Sequence, residues 1–590
     1  MGEAFSKVES SLTGRRWVGL PNETLRQGLA ISQALQIPEI VSRTIAAQGV
    51  TVEEAKTFLD SKIKYLLPDP KSFKDVEKAA KRLISAINQG HKIAIFSDYD
   101  VDGAASGALL NNWLRDLGVP CTIYIPDRIR EGFGPNITAM EKLSKTHDLI
   151  ICLDCGTVAF DSILAANPTD VIIVDHHLAE ENLPEAFAII NPSRQDETGN
   201  FKYLCATAMV FILLVEANTQ LKNDNVNAPN LLKFLDLVAL ATIADVAPLI
   251  GLNRAFVKQG LLVIANRTNP GLSALSDVCQ LTSKPSAYDL GFLLGPRINA
   301  GGRIGNSKLG VELLIAQTEI EAELIASKLN KLNVDRREIE KKVLHEASTQ
   351  VNTRDTSAPL IWAAKEGWHP GVVGIIASRL KEQNNRPAVV IGLEDGIGSG
   401  SARSIKGIDI GSAITRLSSE NLIIKGGGHS MAAGLSLRED QIPTAMQRLT
   451  NLLIDNGAND ISPKDLIITG TLMCSAVTQE LVAEFDNAGP FGAGAPAPRL
   501  ALLNQRILFA KRAGENHLRL TVSDDSAVKI DVIVFRAFET SIGEVLENHN
   551  GLRFHLAGRL QIDDWGGRKR VKMNLEDAAY AKLNFFSKLM

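Results

Sequence analysis

Three short apolar runs that each end in an aspartate constrain the fold more than any other feature of this chain. Residues 92–97 (Lys-Ile-Ala-Ile-Phe-Ser) lead into Asp98-Tyr99-Asp100-Val101-Asp102-Gly103, residues 149–153 lead into Asp154, and residues 171–174 lead into Asp175-His176-His177. Short unbroken apolar runs read as strands covered on both faces, the pattern of a parallel sheet. The carboxyl ends of such strands face one crevice, and ligands bind there. Carboxylates gathered in that crevice repel one another unless a cation lies between them. Oxygen ligands joined by imidazole suit Mg²⁺ or Mn²⁺.

The same alternation of apolar runs with stretches of helical length continues from residue 76 to about 250, with further strands expected at 121–125 and 187–190. This predicts a parallel, doubly wound α/β domain. With 590 residues the chain exceeds what one core can serve, so three or four domains are expected. Residues 1–75, with helical patterns at 25–35 and 52–59, read as an amino-terminal extension leading into the main domain of residues 76–307. Residues 308–355 are rich in Glu, Lys, Arg and Leu, and predict a helical connector. Residues 356–460 return to α/β composition, with strands expected at 359–363 and 387–391 and glycine-rich loops at 396–400 and 426–428. From 465 to 590, short β-type segments (466–472, 499–510, 517–523, 529–535, 553–561 and 569–575) predict a small barrel of the OB kind.

Composition excludes several classes of function. Apolar residues make up 45% and charged residues 22%, as in ordinary globular proteins. A net charge of −4 excludes a polybasic mode of nucleic-acid binding, though not a local basic groove. No apolar stretch approaches the ~18–20 residues of a membrane span, and the amino terminus lacks a signal-peptide core. A cytoplasmic monomer is expected. The six cysteines are scattered, which suits a reducing compartment. Cys152-Leu153-Asp154-Cys155 spells C-x-x-C, but no second pair completes a zinc site, and Cys152 falls within a strand, where cysteine acts as a small apolar residue.

Within the acidic clusters, Asp100 and Asp102 alternate along a turn that Gly103 allows to bend sharply. Asp98 or Asp102 could simply cap a helix beginning near Gly103. Capping does not explain adjacent histidines after a buried strand, nor Asp245 at the end of the apolar segment 230–244. Consecutive histidines project differently, so His176 is the expected ligand and His177 an orienting or acid–base group. Asp154 suits a bridge between two divalent ions, which would activate a water for displacement at phosphorus. Cations and amides for phosphate come from three glycine-bearing segments. Gly295–Arg303 offers Arg297 and Arg303 on an expected loop, and residues 400–404 offer Ser401, Arg403 and Ser404. Residues 426–429 offer amides at an expected helix amino terminus. In the tail, Arg568-Lys569-Arg570-Val571-Lys572, with Arg553, Arg559 and Trp565, reads either as a solvated hairpin or as a track for single-stranded nucleic acid.

Taken together, these residues resemble the DHH phosphoesterase superfamily, and within it the bacterial single-strand-specific exonucleases. Asp175-His176-His177 is the eponymous motif, D-Y-D-V-D-G at 98–103 resembles the first motif, and Asp154 and Asp245 match the second and fourth. L-G-P-R-I-N-A at 294–300, H-P-G-V-V-G-I at 369–375 and Gly426–Gly434 resemble later motifs, the last in a DHH-associated domain. The resemblance implies a 5′→3′ exonuclease on single-stranded DNA that releases mononucleotides and uses two ions of Mn²⁺ or Mg²⁺. It implies Asp100, Asp102, Asp154, His176 and Asp245 as metal ligands, with His177 and Asp98 supporting catalysis. Arg128, Arg297, Arg303, Ser401 and Arg403 would hold DNA phosphates, including the 5′ end, with His369 and His429 near the cleft. Repair and recombination, with helicase and single-strand-binding partners, follow from the resemblance alone. Cys155, where relatives often carry asparagine, and Leu204-Cys205-Ala206-Thr207-Ala208, in place of a more glycine-rich stretch, depart from the pattern. Alternatives are a phosphodiesterase of short or cyclic nucleotides, which needs no barrel, and a non-catalytic DNA-binding scaffold, which requires lost ligands.

Overall fold

In the computed structural model the apolar runs form a five-stranded parallel sheet of β1 (Ile93–Ser97), β2 (Cys121–Tyr124), β3 (Leu149–Leu153), β4 (Asp170–Val174) and β5 (Ala188–Ile190). The strand order is β2-β1-β3-β4-β5, with every neighbouring pair parallel. Every residue of β1 and β3 is buried, because helices cover both faces. The chain crosses from β1 to β2 on one side and returns to β3 on the other, so the order reverses between β1 and β3. That reversal is the topological switch point, where an open sheet leaves a crevice beyond its strand ends. Asp98 and Asp154 follow the two strands that flank it.

The structure describes residues 3–354, 358–458, 465–514, 516–526, 528–563 and 569–581. Contacts divide the chain into two units, one of residues 67–247 and 259–462, the other of residues 1–66, 248–258 and 463–590. In the first unit, α1 (Val101–Asp116), α2 (Ala206–Asn223) and α3 (Leu235–Ala244) pack around the sheet, and α4 (Gly295–Ile304) precedes the long connector helix α5 (Glu319–Asn352). A second sheet of order β9-β10-β8-β7-β6 follows, formed by β6 (Ile361–Glu366), β7 (Ala388–Glu394), β8 (Ile397–Arg403), β9 (Lys425–His429) and β10 (Ala432–Arg438). Only β6 and β7 pair in parallel there, across α6 (Pro370–Asn384).

Two segments expected as loops are regular elements. Gly295–Arg303 lies in α4, because its glycines serve close approach rather than turning: a Cβ on Gly302 would stand 3.0 Å from the Tyr99 carbonyl. Gly426-Gly427-Gly428-His429 is the edge strand β9, followed by strand β10, so no helix amino terminus stands behind it. Its glycines let the helix Ile410–Ser419 close in, since a Cβ on Gly426 would lie 2.7 Å from Ile414 Cγ2. Residues 397–400, expected as a loop, belong to β8.

The second unit is built on a closed barrel of β11 (Leu500–Ala513), β12 (His517–Ser523), β13 (Lys529–Val534), β14 (Arg553–Asp563) and β15 (Arg570–Tyr580), in which β11 pairs with both β12 and β14. The amino-terminal segment belongs to this unit. Trp17–Gly19 pairs in parallel with Leu466–Ile468, and the buried Trp17 Nε1 donates to Asp577 Oδ2 at 2.9 Å. Helices Asn22–Leu35, Glu39–Ala46 and Val52–Leu59 share a core with Phe485, Ala488 and Leu500. Arg254, 1% exposed, stitches three parts of the unit together. Its guanidinium donates to the carbonyls of Phe58, Ala488, Gly489 and Pro490 and lies 3.7 Å from the centre of the Phe58 ring. Among the described residues no helix is long and apolar enough to cross a membrane.

Three cations of the basic tail are paired within the barrel: Arg553 with Asp525, Arg559 with Glu576 and Lys572 with Asp563. Arg570 and Lys569 are exposed, whereas Trp565 and Arg568 lie outside the described residues. The pairing favours the solvated-hairpin reading for Arg553, Arg559 and Lys572.

Replacing Arg254 by Met should strand four buried carbonyls at a cost of about 3 kcal/mol. The first transition of the full-length protein in a urea titration should move to lower urea by the corresponding amount.

Candidate metal centre and phosphate site

At the switch point each carboxylate is held by a different element. Asp100 caps α1, its Oδ1 accepting from the amides of Asp102 (2.9 Å) and Gly103 (3.1 Å), so the helix cap falls on Asp100 and not on Asp98 or Asp102. Gly103 is required here, since a Cβ would stand 2.4 Å from the Asp98 carbonyl oxygen. Asp102 reaches across to the start of α2, where it accepts from Ala206 N (2.7 Å), Thr207 N (2.8 Å) and Thr207 Oγ1 (2.6 Å). A helix amino terminus favours a negative charge, and Asp102 is placed against one. Asp154 adopts φ = 60°, and Val246, directly after Asp245, adopts φ = 59°. Positive φ is costly for a non-glycine residue, above all a β-branched one, and persists where surrounding structure imposes it, often at functional sites.

His176 stands at the centre. Its Nε2 lies 3.2 Å from Asp154 Oδ1 and 3.8 Å from Asp102 Oδ2, and its Nδ1 lies 3.9 Å from Asp245 Oδ2. His177 turns its Nδ1 to Asp175 Oδ1 at 2.7 Å. That carboxylate also accepts from the amides of His176 and His177, and its other oxygen from Thr157 N. Asn191 and Ser193 donate to the carbonyls of His177 and His176. The His177 ring is thus oriented from behind, as acid–base imidazoles are, and the backbone of both histidines is held in place.

Three sets of ligand atoms lie within 4.8 Å of one another: Asp154 with His176 and His177; Asp102 with His176 and Asp245; Asp98 with Asp100 and Asp154. Asp154 and His176 each belong to two sets. Asp98 therefore stands among the possible ligands and not merely behind them. The Oδ1 atoms of Asp98 and Asp154 are buried without a hydrogen-bond partner. Orphaned carboxylate oxygens facing one another fit a divalent cation of the Mg²⁺ or Mn²⁺ type.

Charge on these groups reflects that crowding. Burial, then the neighbouring carboxylates, push Asp98, Asp100 and Asp154 above the usual carboxylate range and Asp245 up to about 8. Burial pulls His177 down, but its hydrogen bond to Asp175 and that residue's charge overcome this and raise it to about 9. Burial likewise opposes ionisation of Asp175, yet His177 holds it well below the usual range. Cys152 and Cys155 are buried free thiols, both pushed up by burial, so a redox role for C-x-x-C has no support.

A group of opposite sign lies in the same unit. Arg128 sits over the Tyr99 ring at 5.1 Å, and Arg303 Nη1 donates to Gly371 O. Arg403 Nη1 donates to Ser401 Oγ at 2.8 Å, packed against Gly374 of α6. Burial and mutual repulsion lower Arg303, to about 10, and Arg403, with Arg128 acting on both. Glu340 and Asp100 oppose this at Arg303. His369 caps α6 through Nδ1 and is lowered by burial and by Arg128, with Glu394 opposing. Arg297 donates to Asn330 Oδ1 and Leu293 O and adjoins Arg336 of the connector. His429 is exposed on β9, in one cross-strand row with Ala432 and Arg403.

Residues 92–242 match the DHH family, N-terminal domain, residues 357–455 match the DHHA1 domain, and residues 468–577 match the RecJ OB domain. The single-stranded-DNA-specific exonuclease RecJ of Escherichia coli is 34% identical over 567 residues, covering 92% of this chain and 96% of that protein. The chain belongs to the RecJ family. RecJ of Bacillus subtilis is 32% identical over 94% of this chain and 70% of its own length. The crystal structure of RecJ in complex with Mn²⁺ from Thermus thermophilus superposes with a TM-score of 0.79 at 26% identity, covering 96% of this chain and 80% of that one. A RecJ exonuclease bound to manganese matches with a TM-score of 0.57 at 31% identity, over 66% of this chain and 96% of that one.

Within this RecJ-family chain, several residues that shape the site are not among the expected site residues. Thr207 holds Asp102, Asp175 holds His177, and Tyr99 supports Arg128. Phe133, exposed at the rim, meets the rings of His177 (5.4 Å) and Tyr99 (6.5 Å) edge-on. Asn191-Pro192-Ser193 directly follows β5, and the same strand-end rule that exposed Asp98 and Asp154 would have found it.

The raised carboxylates set a pH dependence. Each keeps its proton in the fold above the pH, near 4, at which the unfolded chain releases it. Ion-free stability therefore falls as pH rises from about 4 through about 8, and the raised His177 adds to that fall up to about 9. A divalent ion needs the carboxylates without their protons. Mn²⁺ should raise the melting temperature more at about pH 8 than at about pH 6, as read by thermal denaturation with and without the ion. Asp154→Asn should remove most of that increment.

Proposed function

We propose that this chain hydrolyses single-stranded DNA from its 5′ end, as a metal-dependent exonuclease releasing mononucleotides. The observation that carries this reading is the sharing of Asp154 and His176 among three ligand sets at the switch point. Asp100, Asp102, Asp154, His176 and Asp245, with Asp98 in reach, would hold two divalent ions, Mn²⁺ or Mg²⁺. Ions bound there neutralise phosphate charge and acidify an attacking water. Asp175 keeps His177 protonated at neutral pH, so His177 Nε2 is the donor to the leaving oxygen. Arg128, Arg303, Ser401 and Arg403 hold the 5′ phosphate, and Arg297, His369 and His429 extend that contact.

The barrel favours a polymer over a short or cyclic nucleotide. On its outer face Phe509 pairs across strands with Thr521, and Lys511 with Arg519, giving an exposed ring beside two exposed cations, a surface suited to single-stranded nucleic acid. The same reading has the protein act in the cytoplasm as a monomer, beside helicase and single-strand-binding partners in repair and recombination. A non-catalytic scaffold is disfavoured because no ligand position is lost.

Digestion of 5′- and 3′-labelled single-stranded and duplex DNA, with Mn²⁺ or with EDTA, tests substrate, polarity and metal together. Labelled mononucleotide should appear first from the 5′-labelled single strand, and only with the ion. Asp154→Asn should lower that rate about a thousandfold, the several kcal/mol of a lost metal site, and full activity in it would sink the two-ion reading. Arg403→Ala should raise KM about tenfold or more on 5′-phosphorylated strands, as for a lost hydrogen bond between charged groups. On 5′-hydroxyl strands, steady-state kinetics should show a smaller change.

A further inference from the structure

One carboxylate outside the metal-ligand sets is buried among arginines. Glu340, in the second half of α5, is 1% exposed. Its Oε1 lies 3.1 Å from Nη1 of Arg336, one turn back on the same helix. Its Oε2 accepts from Nη2 of Arg379 on α6, also at 3.1 Å. Arg336 Nη2 donates to Oδ1 of the buried Asn333 at 2.9 Å. Arg336 Nε and Glu340 Oε1 are buried without a hydrogen bond. A buried ion network with unsatisfied atoms is a poor source of stability, and apolar side chains of similar volume often do as well or better. The best-attested use of such a network is to fix the register of packed elements.

Register between α5 and α6 is open to such control. Val343 and Ala347 of α5 share an apolar core with Val372, Val373, Ile376 and Ala377 of α6. Apolar contact is non-directional, so it holds two helices together without fixing how far one slides along the other. The slide matters because α6 packs through the phosphate site. A Cβ on Gly371 would stand 2.1 Å from the Arg303 carbonyl oxygen, and one on Gly374 would stand 3.1 Å from both Ser401 Oγ and Arg403 Nη2. From Gly371 to Arg379 the helix axis advances about 12 Å. Thus α6 is tied at two separated points, to Arg303 at its start and to Glu340 farther along.

We propose that Glu340 is a positioning residue for the 5′-phosphate site, seating α6 on α5 so that Ser401 and Arg403 stand with Arg303 around one phosphate. The inference rests on the exonuclease reading above and deepens it. Charge and position make opposite demands here. The negative charge of Glu340 weakens the attraction of its arginines for an anion. Its hold on Arg379 strengthens phosphate binding by keeping the site assembled.

Steady-state kinetics of the full-length protein on 5′-phosphorylated and 5′-hydroxyl single strands tests it. Glu340→Gln keeps the shape of the side chain and removes its charge. Arg379→Leu, at a partly exposed position, leaves Glu340 paired with Arg336 and so spares the fold. Each should raise KM on the 5′-phosphorylated strand about tenfold, the range of one hydrogen bond between charged groups, and leave kcat and the 5′-hydroxyl KM unchanged. Arg379→Lys should retain the unsubstituted KM, because the pair is a single contact that a point charge can make. Glu340→Gln/Arg379→Leu should be no worse than either alone, since both act through one contact. A lower KM in Glu340→Gln would show that the carboxylate acts by charge alone. Equal rises on both strands would show a merely structural role. Either result overturns the positioning, as would an unsubstituted protein that does not distinguish the two strands. Fluorescence anisotropy with EDTA, read on the same strands, keeps the two claims apart. Loss of a 5′-phosphate preference in the variants, without any cleavage by the unsubstituted protein, would overturn the exonuclease reading alone.

Discussion

Repulsion among aspartates brought to one crevice is the constraint on which the catalytic unit turns. The parallel sheet places Asp98 and Asp154 beyond adjacent strands at the point where strand order reverses. The helices around the sheet add Asp100, Asp102 and Asp245. Removed from water, Asp98, Asp100, Asp154 and Asp245 resist ionisation, and the Oδ1 atoms of Asp98 and Asp154 have no hydrogen-bond partner. A fold selected for stability alone would place apolar side chains or bound cationic residues there. This one instead holds Asp102 on a helix amino terminus and bends the chain through left-handed backbone at Asp154 and Val246. The arrangement is satisfied when charge arrives from outside.

The arginines show the same logic with the sign reversed. Burial, and then the charge of Arg128, lower the proton affinity of Arg303 and Arg403, yet the three arginines are kept in place by contacts to Tyr99, Gly371 and Ser401. One cluster asks for cations and the other for anions. A phosphodiester with its counter-ions supplies both, and neither cluster alone would point to it. The helix α4 links them physically, because Gly302 touches Tyr99, between Asp98 and Asp100, while its neighbour Arg303 reaches the start of α6.

What can be read from sequence follows from how local each signal is. Strands β1, β3 and β4 are unbroken apolar runs, so their ends and the aspartates there are evident, as is Asp245 at the end of an apolar helix. Glycines mislead. At Gly295–Arg303 and at 426–428 they read as loop or cradle residues, whereas they serve helix-on-strand and helix-on-loop approaches that only the folded neighbours define. The amino-terminal segment reads as leading into the main domain, but its partners, Leu466–Ile468 and Asp577, lie more than 400 residues away and leave no trace nearby in sequence. Nor does any pattern announce that Arg254, in the first turn of the helix Gly251–Ala265, is swallowed by carbonyls.

The supporting residues show why motif and mechanism do not coincide. Asp175 opens the histidine motif, yet its oxygens are taken by Thr157, by two backbone amides and by His177, so it orients the motif without standing in any ligand set. Thr207 lies in a stretch that departs from the family pattern, yet it supplies two of the three hydrogen bonds that hold Asp102. The departure therefore leaves intact the feature that matters, a helix amino terminus aimed at the carboxylate. A hydroxyl beside two amides does there what a glycine-rich start could do with amides alone. The chemistry is fixed by where charge and dipole are placed, and sequence pattern records that placement only when the placing residue is also the reacting one.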